Sequence, residues 1–329
     1  MTQTISLCMI TKNEDNNLAQ SLNSVKDLVN EIIIVDTGST DKTITIAREF
    51  DSNIFEFSWN DSFSEARNES LRHATKDWIL VLDADELVEK RDFSKIKDAI
   101  ESAPKEVAGF SLQQRSYIRN FSSGAAKNES QFFKDFPFYV ANNLVRLFKN
   151  NNGLKFKNRI HELIEDSIKE RNLEYKKTDI IIHHFGSVKS KQFIDSKTNS
   201  YSRLILKQLE DEPDNERYNY QAARMYLSKK DFTKALGFFV KTSKINPNYK
   251  LVFSEIAKIY LQMNDKNRAI EYFKKSLRQN PESSCANNLA VIYMSMGKFE
   301  QAKEILEEWM KNDPNNEALK HNYNECLKN

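Results

Sequence analysis

One set of residues recurs along the last third of the chain. Tyr226, Ala235, Phe239 and Pro247 return 34 residues on as Tyr260, Ala269, Phe273 and Pro281, and 33 residues further as Tyr293, Ala302, Leu306 and Pro314. A period of this size means one supersecondary unit laid side by side with its copies, each covering the apolar face of the next. The small alanine suits a point where two helices cross closely, the aromatics fill the space between units, and the proline ends a helix. No strand pattern interrupts these 115 residues or so, which reads as helix–turn–helix units over 215–329. Glu317 to Leu327 then reads as a terminal capping helix.

The first half follows a different rule. Short apolar runs at Ile5–Thr11, Glu31–Asp36, Ile54–Phe57 and Trp78–Leu82 read as strands. Amphipathic stretches at Leu18–Val25, Asp41–Phe50 and Phe63–Ala74 read as helices between them, the second capped by Thr40. Continuous apolar strands alternating with helices predict an α/β domain around a mostly parallel sheet covered on both faces. Beyond Val107 the alternation weakens, with further strands expected at Val107–Arg115, Leu144–Phe148 and Asp179–His184. The polar stretch Asn120 to Asp135 reads as a mobile lid-like loop. The expected organisation is a domain over 1–190, a helical linker over 191–214 and the repeats over 215–329.

Lys and Arg (49) nearly balance Asp and Glu (47), which gives no general reason to expect nucleic acid. Cys8, Cys285 and Cys326 are scattered, odd in number and form no metal spacing. A reducing, cytoplasmic setting is the simple reading. The apolar run Ile5–Ile10 is too short for a membrane span and lacks the layout of a signal peptide, and no other run spans a bilayer.

Ligands of open α/β sheets sit at the carboxyl ends of strands. Three polar clusters stand there: Thr11-Lys12-Asn13-Glu14, Asp36-Thr-Gly-Ser-Thr-Asp41 and Asp83-Ala84-Asp85-Glu86. There is no GxGxxG after the first strand and no GxxxxGK[ST] loop, so neither standard phosphate cradle is present. Asp83 and Asp85, at i and i+2 beyond a buried strand, point the same way. Hard oxygen ligands of that kind suit Mg²⁺ or Mn²⁺. A cation bridging a diphosphate would neutralise charge on a departing nucleotide.

The segments Ile5–Glu14, Ile34–Thr43, Trp59–Asn68 and Asp83–Glu86 together resemble the family 2 glycosyltransferases of GT-A fold. The repeats resemble the tetratricopeptide type. Within the family the chain is similar to bacterial members with C-terminal repeats, among them the peptide S-glycosyltransferases that modify glycocins and some lipopolysaccharide-core enzymes. The resemblance implies a Rossmann-like GT-A domain followed by an all-α tetratricopeptide-repeat domain. It also implies transfer of a sugar, with inversion, from a nucleotide-diphosphate donor such as a UDP-hexose or UDP-N-acetylhexosamine.

The same resemblance assigns roles. The backbone around Thr11 and the side chain of Asp36 grip the base, and Asn13, Glu14 and Ala84 belong to the same donor site. Lys12 and Arg67 lie near the nucleotide. Asp83 contacts ribose or metal, and Asp85 is the main metal ligand. His161-Glu162 is the pair for the remaining work, Glu162 as general base and His161 as a metal or phosphate ligand, or the reverse. Of His183 and His184, which end a strand, His184 is the candidate to complete the metal site.

Glu86 receives no chemical role. Asp61 and Asn68 read as caps or braces, and the cluster Phe132, Phe133, Phe136, Phe138 and Tyr139 reads as core packing before a sugar platform. The repeats suit a peptide acceptor held in a concave array, or a homodimer contact. A saccharide or glycolipid acceptor is the other enzymatic reading, and a non-catalytic scaffold the third.

Overall fold

The computed structural model describes residues 3–121, 124–129, 133–150, 152–185 and 191–328, with side chains of 191–199 left aside. The chain divides into two compact units, Met1–Leu204 and Ile205–Asn329.

The first unit is built on one sheet. Strands β1 (Ile5–Thr11), β2 (Glu31–Asp36), β3 (Asn53–Glu56) and β4 (Trp78–Val81) run parallel in the order β3-β2-β1-β4. Their alternation with α1 (Leu18–Val25), α2 (Thr43–Arg48) and α3 (Phe63–His73) is the pattern expected from the sequence. The near-continuous apolar runs are buried on both faces: Leu7, Cys8, Met9, Ile33, Ile34 and Leu80 are fully inaccessible. Thr40 does not cap α2. Asp41 does that work, its Oδ1 accepting the Thr43 N–H at 2.9 Å, because an Asx side chain reaches the amide two residues on.

Beyond β4 the sheet turns antiparallel. Strand β8 (Phe138–Lys149) pairs with β4 and with β6 (Val107–Ile118), and β9 (Glu174–His184) lies parallel to β6; helix α4 (Phe93–Glu101) precedes β6 and α5 (Glu165–Glu170) precedes β9. Each is longer than its apolar pattern, since the added residues, such as Ala141–Asn143, are polar or exposed. A short β7 (Ala126–Lys127) pairs with β8 inside the expected lid segment, whose residues 122–123 and 130–132 lie outside the described ones. A strand absent from the sequence reading, β5 (Glu86–Val88), leaves the Asp83–Glu86 turn and pairs antiparallel with β9, Glu86 opposite His184. This strand brings the acidic turn beside the end of β9.

The helix over the span expected as a linker is α6 (Lys191–Asp211), and the division between the units falls within it, after Leu204. The second unit continues with α7 (Glu216–Ser228), α8 (Phe232–Ile245), α9 (Val252–Gln262), α10 (Lys266–Gln279), α11 (Ser283–Met294), α12 (Phe299–Asn312) and α13 (Glu317–Cys326). Ala235, Ala269 and Ala302 are fully buried, as are Phe239, Phe273 and Leu306. Pro247, Pro281 and Pro314 each stand two residues past the end of α8, α10 and α12, where a residue without an amide proton cannot extend the helix. The turn inside each unit passes through a positive φ at equivalent positions, Lys230, Asn264 and Gly297. No helix among the described residues is long and apolar enough to cross a membrane.

Candidate active site

The carboxyl ends of β1 and β4 open on a cleft of about 480 Å³ in the first unit, lined by Thr11, Lys12, Asn13, Glu14, Thr37, Arg67, Asp83, Ala84, Asp85, Glu162 and His184. Ten of the twelve residues singled out from the sequence therefore share one cavity. Asp36 and His161 are not on its surface.

The carboxylate of Asp36 is spent on its own loop. Its Oδ2 accepts the amides of Gly38 (2.9 Å) and Ser39 (2.7 Å), and its Oδ1 accepts the hydroxyls of Ser39 (2.5 Å) and Thr11 (3.1 Å). A carboxylate so surrounded shapes the turn, and Gly38, at φ +102°, supplies the backbone conformation the turn needs. Asp36, expected to grip a base, is only 5% exposed and turns its carboxylate to this loop. It carries Thr11 and Thr37 to the cleft wall instead: Thr37 donates from both N–H and Oγ1 to the Thr11 carbonyl. Asn13 ties the two loops together, its Oδ1 accepting the Thr40 amide at 2.8 Å.

Arg67 is the hub of the cleft. Its Nη2 donates to Asp83 Oδ1 and its Nε to Glu162 Oε1, both at 2.6 Å, and the residue is only 5% exposed. Burial alone would lower its pKa, but the Asp83 and Glu162 carboxylates outweigh that and raise it. Helix α3 places it and also holds the loop that carries Glu162. Asn68 clasps Phe156 through both backbone groups, and the Phe63 amide donates to the Arg159 carbonyl. Residues 157 and 163 bridge this loop, and positive φ values at Asn158 and His161 close it. That reversal separates the expected pair: Glu162 faces Arg67, whereas His161 is exposed with its ring 6.4 Å from that of Tyr201.

Arg146, beyond the sequence reading, and Glu86, which received no role there, complete the cluster. Arg146 of β8 lies 3.4 Å from both Asp83 Oδ2 and Glu86 Oε1. Glu86, fully buried, accepts the Asp83 amide at 2.8 Å and a bond from Gln114 Nε2. Partial burial opposes ionisation of Asp83, whose side chain is 32% exposed, yet the two guanidinium groups hold its carboxyl far below the usual range. Burial wins at Glu86 and pushes it up against the pull of Arg146. Arg146 had a readable signal, a lone cation within the apolar run Leu144–Phe148, which a buried strand tolerates only when carboxylates meet it.

His184 Nε2 is 3.5 Å from Asp85 Oδ2, and its Nδ1 is 3.0 Å from Ser116 Oγ. Burial would lower its pKa, but Asp85 and then Glu86 and Asp83 raise it. The expected trio of Asp83, Asp85 and His184 does not close into one metal cluster, and no group of three ligating side chains forms one among the described residues. The cause is Arg67 and Arg146, which occupy Asp83. The imidazole and carboxylate of His184 and Asp85 remain a suitable donor pair for a divalent cation, one hard oxygen beside one nitrogen.

His183 points the other way. Its ring is fully buried and stacked on Tyr117, with Nδ1 2.6 Å from the Tyr117 hydroxyl and Nε2 2.8 Å from Glu89 Oε1. Burial, with Arg115 and Arg91, lowers its pKa to about 4. The folded state therefore favours neutral imidazole, so its contribution to stability is whole above the ordinary value near 6.5 and is lost as the pH falls towards 4. Between pH 7 and pH 4.5 that loss is about 2 kcal/mol. Urea unfolding at the two pH values should show a correspondingly smaller drop for His183→Gln than for the wild type; equal drops would refute a neutral His183. Phe133 stacks on Tyr117 and Phe185, which makes it packing. Phe136, Phe138 and Tyr139 do not line the cleft, and Phe132 lies outside the described residues.

An α/β unit with a carboxylate and arginine cleft at its strand ends, continued by helix–turn–helix repeats, is the class of protein that fold and site define. The chain belongs to glycosyl transferase family 2, whose model matches residues 6–185, and a tetratricopeptide repeat model matches residues 260–321. It is similar to the prophage-derived glycosyltransferase SunS of Bacillus subtilis, 30% identical over 253 residues, covering 76% of this chain and 54% of SunS. It is also similar to a TPR repeat-containing protein of Synechococcus elongatus, 35% identical over 164 residues, 50% of this chain and 36% of that protein. The chain thus spans about half or less of the length of these relatives. Among solved structures, MamA is matched over 42% of this chain and 81% of its own at 17% identity, with a TM-score of 0.36.

Proposed function

We propose that the chain transfers a sugar, with inversion, from a nucleotide-diphosphate donor to a side chain of a peptide or protein. The observation that carries this reading is the convergence of the Thr11–Glu14 loop, Asp83, Asp85, His184, Arg67 and Glu162 on one cleft at the strand ends. The helical repeats suit an extended peptide acceptor, and we take the donor to be a UDP-hexose or UDP-N-acetylhexosamine. Cys8, Cys285 and Cys326 are all free and buried, which fits a cytoplasmic site of action.

The Thr11–Glu14 loop and Thr37 wall the nucleotide side. Asp85 and His184 would hold Mg²⁺ or Mn²⁺, which when bound would neutralise charge on the departing diphosphate. Asp83 stays with its two arginines and orients the turn. Glu162, aimed by Arg67, takes the proton from the acceptor as it attacks.

A thermal-shift screen of nucleotide sugars with Mn²⁺ tests the donor, because a ligand that binds only the folded state stabilises it by RT ln(1 + [L]/Kd). Glu162→Gln should keep the donor's shift and lose transfer by about 10²–10⁴-fold. A Glu162→Gln enzyme with wild-type turnover moves the base elsewhere. No shift with any nucleotide would leave a repeat scaffold.

A further inference from the structure

The same cleft has an aromatic side to which neither the acids nor the nucleotide loop contributes. Trp59, Phe63 and Tyr201 all line it and all are half-buried. Their rings form a row: Trp59 meets Phe63 edge-on at 4.9 Å, and Phe63 meets Tyr201 at 5.7 Å with a tilt of 48°. Tyr201 stands on α6, more than a hundred residues past Asp83 and Asp85, yet belongs to the first unit. An ion pair of 2.5 Å between Arg203 and Asp61 fastens this part of α6 to the turn before α3, and Leu204 beside it is 2% exposed. Burial raises the pKa of the phenol, and the carboxylates of Glu162, Asp83 and Asp85 add to the rise. Tyr201 and Glu162, the group assigned to the proton transfer, line the same cleft.

We propose that Tyr201, with Phe63 and Trp59, forms a subsite for the pyranose ring of a substrate, which it contacts through the face of the phenol ring. A pyranose carries apolar C–H groups on one face and hydroxyls around its rim. An aromatic row beside carboxylates and an arginine matches both parts, since such pockets bind through aromatic surface and orient through a few polar groups. The inference rests on the proposed glycosyl transfer and adds where a sugar sits. That sugar is either the one carried by the donor or one belonging to a saccharide acceptor.

Calorimetry on the full chain with Mn²⁺ separates these cases and tests the idea. UDP, UDP-glucose and UDP-N-acetylglucosamine probe the donor arm, and methyl β-glucoside added to the UDP-loaded protein probes the acceptor arm. Tyr201→Leu keeps apolar volume without the ring, and Tyr201→Phe keeps the ring. UDP affinity should be unchanged in both. Tyr201→Leu should weaken one pyranose arm about tenfold, the donor sugar or the glucoside, while Tyr201→Phe stays within about twofold of the wild type. Unchanged affinities in both arms for Tyr201→Leu overturn the subsite, as does an equal loss in Tyr201→Phe, which would make the hydroxyl and not the ring the contact. Failure of the wild type to bind any nucleotide is a separate result: it sinks the transferase reading, and the subsite with it.

Discussion

Asp85→Asn should lower sugar transfer by about 10³-fold and leave unfolding close to that of the wild type. The substitution keeps size and one acceptor oxygen and removes only the charge. Asp85 lies in the turn between β4 and β5, and its carbonyl still receives the Phe185 amide whatever its side chain. What changes is the pair with His184, 3.5 Å away at the cleft wall. Preorganised groups that meet charge developing on a leaving group contribute about 10²–10³-fold each, more where they also hold a cation. His184→Ala should fall in the same range, and the double variant should lose little more than either single one, because residues acting as a unit are not additive. The measurement is turnover of the donor found by the screen, at saturating Mn²⁺. Wild-type turnover in Asp85→Asn would remove Asp85 from the chemistry.

The parts of this site that could be read from the sequence follow a physical division. Strands β1, β2 and β4 carry nearly continuous apolar runs because both faces are covered, so their ends, and the polar residues there, are visible in one dimension. The repeat unit is visible for a similar reason: the same buried alanine must recur wherever two helices cross. Strand β5 is hidden, since three residues beginning with Glu86 carry no pattern, yet this strand carries Asp85 to His184. Tyr201 is hidden by distance along the chain. Asp36 misleads in the opposite sense: an Asp two and three residues before amides it can cap looks the same whether it binds a ligand or its own turn. The place of Glu86 is hidden because its partners Arg146 and Gln114 arrive from other strands.

Arg67→Ala should destabilise the first unit by about 3–5 kcal/mol, the cost of removing one partner from a buried ionic group. For a unit of this size that is a fall in Tm of roughly 10 °C or more, read by scanning calorimetry. The geometry explains why the cost should be high. Asp83 and Glu162 come from separate segments, and the guanidinium between them joins α3, the β4–β5 turn and the 156–163 loop. Without it Asp83 keeps only Arg146, at 3.4 Å, and the Glu162 side chain, 13% exposed, loses its ion-pair partner. Arg67→Met separates charge from volume: if the loss is electrostatic, Met should be nearly as damaging as Ala, although it fills most of the space. Neutralising the carboxylates as well, in Arg67→Met with Asp83→Asn and Glu162→Gln, should recover most of the stability while leaving the protein inactive, because an uncharged cluster no longer strands buried charge. A stable, active Arg67→Met would show that the three segments hold their positions without the ion pairs, and the role of Arg67 in aiming Glu162 would fall with it.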